Sequence, residues 1–192
     1  MPAGRREMRL ERALSAAARR IEPAIGRLLS VEPVRRVLHA RALRAWRATD
    51  EPLIVCYGNI NRSPFAEQLA RRRAAASPTS AGLYAEADRP SPPLTVEIAA
   101  AHGVELSAHR SVILDDELLD RAPAVFIFDL ENLVRIAVRH RAALSKTYFL
   151  GALARAGHTL IADPHGHGSQ ALEDAFTAIE QALDWADRDR PG

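Results

Sequence analysis

Leu10, Ala13, Leu14, Ala17 and Ile21 recur at helical spacing, which predicts an amphipathic helix with one apolar face near the start of the chain. Arg5, Arg9, Arg12, Arg19 and Arg20 fall on a neighbouring face. Pro23 and Gly26 are expected to interrupt this helix, and a second is predicted from Pro33 through Trp46. Thr49, Asp50 and Pro52 then mark a boundary. Beyond it the pattern changes. Leu53-Ile54-Val55-Cys56 is a short unbroken apolar run, the pattern of a buried parallel strand. Residues 57–63 read as a loop, and Pro64 suits the first position of a helix that continues through Glu67, Leu69 and residues 71–73. A short strand near 80–84, a helix over 94–102 stopped by Gly103, a strand over 124–129 and a helix over 131–139 follow. Residues 147–150 and 159–162 have strand length, the second also readable as extended loop, and 171–186 form a closing amphipathic helix. Strands alternating with helices imply βαβ units and a parallel sheet, an α/β fold.

Composition narrows the class. At 192 residues the chain has room for one domain with an appendage. With 47% apolar and 26% charged residues it is neither disordered nor fibrous. The lone Cys56 excludes an intramolecular disulfide and any multi-cysteine zinc site. No apolar run approaches the length of a membrane span or of a secretory signal core, so a cytoplasmic location is expected.

Charge divides the chain. Residues 1–50 carry a net +7 and residues 51–192 a net −5. This sets a basic helical extension, 1–50, apart from a body, 51–192. The basic helix has several readings. It docks on the body through Leu10, Leu14 and Ile21, or it mediates self-association; these rank first. Contact with an anionic membrane surface ranks second. Nucleic-acid binding ranks last, because the charge comes without a binding motif.

The chemistry is concentrated in Cys56-Tyr57-Gly58-Asn59-Ile60-Asn61-Arg62-Ser63. A cysteine ends a buried strand, a tight polar loop follows, and an arginine stands at the threshold of a helix. Backbone N–H groups in such a loop converge on an anion, helped by the positive helix N-terminus. Arg62 offers a planar fork matched to two phosphate oxygens. In that field the thiolate of Cys56 is favoured. A nucleophile within an oxyanion cradle is the arrangement for phosphoryl transfer through a covalent intermediate.

The C-x5-R-S spacing is that of the cysteine-dependent phosphatases, and residues 55–64 closely resemble the low-molecular-weight protein tyrosine phosphatase family. Asp163-Pro164, after Leu160-Ile161-Ala162, stands where that family places its general acid. Ser80-Ala81-Gly82, Pro93, Gly103, His109-Arg110-Ser111 and residues 126–129 resemble its intermediate landmarks, in matching order over about residues 52–187. The resemblance implies an open four-stranded parallel sheet flanked by helices. It also implies a phosphomonoester hydrolase acting on protein phosphotyrosine, with neither metal nor organic cofactor. Cys56 would attack phosphorus, Asp163 would serve as general acid and then base, and Arg62 with the loop amides would hold the oxygens. Ser63 would hydrogen-bond the thiolate. Asn59 would hold the loop in a left-handed turn, supported by Ser80 and His109. The implied partner is a phosphotyrosine protein, an autophosphorylating tyrosine kinase in the bacterial setting.

The chain departs from the family pattern in two places. Asn61 stands where many members carry a second, protective cysteine. His165-Gly166-His167 follows Asp163-Pro164 where many members have an aromatic pair. The pocket rim is therefore assigned to Tyr57, Tyr84 and His165. His165 and His167 do not read as a metal pair, because no third ligand lies near them. Asp129 reads as a strand-end residue close to the site. Two other functions fit the same loop: arsenate reduction with an external thiol, and a non-catalytic phosphate-binding module. Retention of both Cys56 and Asp163 argues against the second.

Overall fold

The computed structural model of the chain describes residues 3–73, 77–84 and 86–188, with side chains from residue 9 onward. Arg5 of the expected basic face therefore lies outside the described side chains. Four short strands, β1 (Leu53–Cys56), β2 (Thr79–Gly82), β3 (Val125–Ile127) and β4 (Thr147–Phe149), form one parallel sheet in the order β2-β1-β3-β4. Helix α3 (Arg62–Arg72) links β1 to β2, and α4 (Pro93–Ala101) and α5 (Asp116–Arg121) link β2 to β3. Helix α6 (Leu130–Arg139) follows β3, and α7 (Gly168–Asp187) closes the described fold. The expected four-stranded parallel sheet is present. Residues 159–162 form no strand; 159–160 are a bend, and Ile161 N–H donates to the Phe128 carbonyl. Helix α5 was not anticipated. Asp115 caps it by accepting from Leu118 N–H.

Both faces of the sheet are covered, which explains the unbroken apolar run in β1. Alternate residues point to opposite faces. Ile54, Cys56, Phe126 and Phe128 join a core built with α3, α4 and α7. Leu53, Val55, Val125 and Ile127 join a second core with Leu119 of α5 and Ile136 of α6. Gly82, at the end of β2, allows a close approach: a Cβ there would stand 3.0 Å from Asn59 Cβ and 3.1 Å from the Gly58 carbonyl carbon. Gly103, at φ +72°, ends α4 in the left-handed conformation that glycine tolerates.

The N-terminal fifty residues form α1 (Ala3–Leu29) and α2 (Glu32–Arg47). Trp46 of α2 is fully buried, edge-on to Phe126 with ring centres 5.1 Å apart, so α2 contributes to the same core as the sheet. Helix α1 corrects two expectations. It runs unbroken through Pro23 and Gly26, although proline removes one helical hydrogen bond. It also packs on α6 with the opposite polarity. Leu10, Leu14 and Ile21 are exposed, while Glu11, Ser15 and Ala18 are buried. The cause is electrostatic and steric. Arg135 and Arg139 of α6 both bond to the Glu11 carboxylate, and the small Ser15 and Ala18 allow close packing. Among the described residues no helix is long and apolar enough to cross a membrane.

Candidate active site

The strand order places a topological switch at β1. From it the chain turns to β2 on one side, while β3 lies on the other. Sites in open parallel sheets form beyond the carboxyl ends of strands at such a switch. Cys56 is the last residue of β1, and Asp129 stands two residues beyond β3. The loop from Cys56 to Ser63 fills the space between them.

Asn59 organises this loop. Its backbone is left-handed, φ +50°, as its role in the turn requires. Its amide Nδ2 donates to Ser63 Oγ at 2.9 Å and to Ser80 Oγ at 2.8 Å, and its Oδ1 accepts from Val112 N–H at 2.8 Å. His109 Nε2 donates to the Asn59 carbonyl at 2.7 Å. The Ser80 hydroxyl in turn donates to Glu67 Oε2. The Ser63 hydroxyl accepts from Asn59, which leaves its proton for Cys56 Sγ, 3.1 Å away. Asn59 N–H also points at Sγ, at 3.2 Å. Two donors therefore converge on a buried sulfur. Asn61, in the position of the absent second cysteine, accepts from Thr95 Oγ1 at 2.7 Å and ties the loop to α4.

Arg62 is buried and pinned from behind. Its Nη1 donates to Asp129 Oδ2 at 2.6 Å and to the Ile161 carbonyl at 2.8 Å. Burial alone would lower its pKa, but Asp129, Asp163 and Cys56 together raise it above the ordinary arginine value. Its Nε and Nη2 are buried without a hydrogen bond, Nη2 standing 3.2 Å from Asp163 Oδ2. Nε and Nη2 form the edge of a guanidinium that grips two oxygens of a phosphate. The expectation for Asp129 fell short: beyond ending a strand, it caps α6 and orients Arg62. Its place after an apolar run and before a helix was the available signal.

A pocket of about 200 Å³ opens above the loop. Cys56, Tyr57, Gly58, Ile60 and Asn61 form its base, and Tyr84, Arg89, Asp163 and His165 its walls. Of the expected catalytic and rim residues, Cys56, Asp163, Tyr57, Tyr84 and His165 line the pocket, while Arg62 is buried beside Asp163 and does not line it; Ser80 and His109 support Asn59 from outside. The Asp163 side chain is part-exposed, and its Oδ1 accepts from His165 N–H at 3.3 Å. Tyr57 and Tyr84 meet edge to face, ring centres 5.5 Å apart. Arg89 lies 4.4 Å from the Tyr84 ring centre and donates to the Gly58 carbonyl at 2.6 Å; Arg135 lies 4.4 Å from the Tyr57 ring centre. Neither arginine was singled out from sequence, since nothing in their local pattern marks them. Helix α1 does not line this pocket, but its Glu22, Pro23 and Gly26 line a neighbouring cavity of about 770 Å³ that Asp163 also lines, and Glu22 accepts from Leu130 N–H, next to Asp129.

Residues 52–186 match the family model described as low molecular weight phosphotyrosine protein phosphatase. The probable low molecular weight protein-tyrosine-phosphatase EpsP of Ralstonia nicotianae is 36% identical over 140 residues, 72% of this chain and 94% of the relative. The solved tyrosine phosphatase Wzb from Escherichia coli K30, in complex with sulphate, superposes with a TM-score of 0.66 at 27% identity, covering 73% of this chain and 98% of the other. The YwlE arginine phosphatase from Geobacillus stearothermophilus superposes with a TM-score of 0.63 at 28% identity, covering 70% of this chain and 88% of the other.

Proposed function

The chain belongs to the low molecular weight phosphotyrosine protein phosphatase family, and from that premise we propose that it hydrolyses phosphotyrosine in proteins through a cysteinyl-phosphate on Cys56. The observation that carries this reading is the pairing of Cys56 Sγ, held by two donors, with the Nε and Nη2 edge of Arg62, which makes no hydrogen bond and whose Nη2 faces the Asp163 carboxylate. Sγ attacks phosphorus in line, an S–P bond forms and the ester P–O bond breaks. Asp163 gives its proton to the leaving oxygen. Water then attacks the cysteinyl-phosphate, Asp163 takes the water's proton, and inorganic phosphate leaves as the thiolate is restored. Arg62 and the loop amides hold the three equatorial oxygens throughout, where negative charge is spread in the transition state.

An aromatic leaving group is favoured by the wall that Tyr57 and Tyr84 form beside the sulfur. Among the solved neighbours one is a tyrosine phosphatase and another an arginine phosphatase, so the substrate class is the point to test. The natural partner in this reading is a tyrosine-phosphorylated protein, an autophosphorylating kinase among them. The compartment is the cytoplasm, where the single thiol stays reduced. The experiment is steady-state hydrolysis of p-nitrophenyl phosphate by wild type and Cys56→Ser, followed by phosphotyrosine and phosphoarginine peptides. Turnover that vanishes in Cys56→Ser, with phosphotyrosine preferred, supports the reading. A folded but inactive wild type, or a preference for phosphoarginine, overturns it.

A further inference from the structure

Helix α1 turns an apolar stripe to solvent. Leu10, Leu14, Ile21 and Leu28 follow one another at steps of four and seven residues, which keeps them on one line along a helix. They are 54%, 40%, 53% and 56% exposed. The carboxylates described on α1 point the other way. Glu11 is buried against Arg135 and Arg139, and Glu22 turns in to Leu130 N–H. Arg9, Arg12, Arg20 and Arg27 are exposed. Arg9, Arg20 and Arg27 fall about 80–100° around the helix axis from the stripe, a row of cations along one edge of it. Among the described residues, the charge that α1 presents to solvent is wholly positive.

We propose that this face of α1 lies on an anionic lipid surface, with the leucines and Ile21 in the interfacial layer and the arginines on headgroup phosphates. Inward and outward faces then have separate tasks: one grips α6, the other binds lipid. Charge selects this partner over a second copy of the chain. Two such faces laid together would set one arginine row against another, with no outward carboxylate described on the helix to answer it. Nucleic acid would answer the arginines and leave the stripe in water. A lipid surface satisfies both. The stripe has no described aromatic residue, so contact is shallow and reversible, and it falls steeply with salt.

The test uses the full chain in sedimentation with vesicles of phosphatidylcholine alone and of phosphatidylcholine mixed with phosphatidylglycerol. Wild type should pellet with the anionic vesicles at low salt, stay in solution with the neutral ones, and be released by high salt. The pair Leu14→Glu with Ile21→Glu, and separately the pair Arg9→Glu with Arg20→Glu, should each weaken binding at least about tenfold. Both pairs should leave p-nitrophenyl phosphate turnover unchanged, which verifies folding through residues remote from the pocket. Three outcomes overturn the proposal. Wild type stays in solution with every vesicle; or it binds neutral and anionic vesicles alike; or it is a dimer that Leu14→Glu with Ile21→Glu makes monomeric, without vesicle binding.

Discussion

Arg135 stacks on Tyr57, its guanidinium carbon 4.4 Å from the ring centre, while Glu11 of α1 holds the same guanidinium from the other side. Tyr57 meets Tyr84 edge to face, and Arg89 lies over the Tyr84 ring, anchored on the Gly58 carbonyl. The aromatic wall of the pocket is thus braced at one end by its own loop and at the other by the N-terminal helix. A cation over a ring contributes about 0.5–2 kcal/mol. Glu11→Gln keeps the shape of the side chain and removes its charge. We expect KM for aryl phosphates to rise about 2–30-fold, with kcat and inhibition by inorganic phosphate unchanged. Equal weakening of phosphate inhibition would place the defect in the loop rather than in the wall.

The same helix shows where sequence reading stops. The strand Leu53–Cys56 and the loop after it follow from local pattern, because an apolar run and a turn-rich segment describe themselves; the four-stranded parallel sheet follows from the family resemblance, and its order from the structure alone. The docking polarity of α1 does not. Periodicity finds the stripe at Leu10, Leu14 and Ile21, but the burial of Glu11 depends on two arginines more than 120 residues away. Only the pairing with both guanidiniums makes burial of this carboxylate tolerable, and no pattern of apolar positions signals it. Asp129 is a middle case. Its position at a strand end was visible, but its bond to Arg62 spans 67 residues and required the sheet order.

Asp129→Asn should expose that bond's role. The substitution leaves one oxygen, which can still accept from Asn132 N–H and keep the α6 cap, and it turns an NH2 donor towards Arg62 Nη1. What is lost is the buried charge that fixes the guanidinium. We expect kcat/KM to fall about 10–100-fold, and phosphate inhibition to weaken with it, because a displaced Arg62 holds ground state and transition state alike less well. Unchanged phosphate inhibition would mean that Arg62 needs no orienting carboxylate.

Asn59 combines two roles that substitution can separate. Asn59→Gly keeps the left-handed turn and loses the side-chain bonds to Ser63, Ser80 and Val112. Asn59→Ala loses both. Thermal unfolding should rank wild type above Asn59→Gly, and Asn59→Gly above Asn59→Ala by about 1–2 kcal/mol, the cost of left-handed backbone for a residue with a Cβ. Both variants should lose activity together, since Ser63 is no longer directed at Cys56. An Asn59→Ala as stable as Asn59→Gly would show that the turn relaxes.

Asp163 stands part-exposed above Arg62, 3.2 Å from Nη2. As the proton donor to the leaving oxygen it matters most where that oxygen is basic. Asp163→Asn should therefore depress turnover of phenyl phosphate far more than that of p-nitrophenyl phosphate, whose leaving group needs little help. A Brønsted plot over substituted phenyl phosphates measures this, with a steeper slope in the variant. Parallel lines would remove Asp163 from the general-acid role.

His102 links pH to stability at a distance from the pocket. Its Nε2 is 2.8 Å from Glu173 and its Nδ1 3.0 Å from Glu180, and its ring lies edge-on to Phe65 and Phe176. Burial would lower its pKa, but the two carboxylates of α7 outweigh that and raise it. A histidine whose folded pKa lies above the unfolded one stabilises the fold fully below the unfolded value, about 6.5. That contribution fades as pH rises through the higher, folded value. Wild type should therefore lose a few degrees of Tm, relative to His102→Gln, as pH is raised from about 6 into the alkaline range. The glutamine still reaches one carboxylate but carries no titrating charge, so the difference between the two melting curves isolates the histidine. Parallel Tm profiles would show that the imidazolium gains nothing from Glu173 and Glu180.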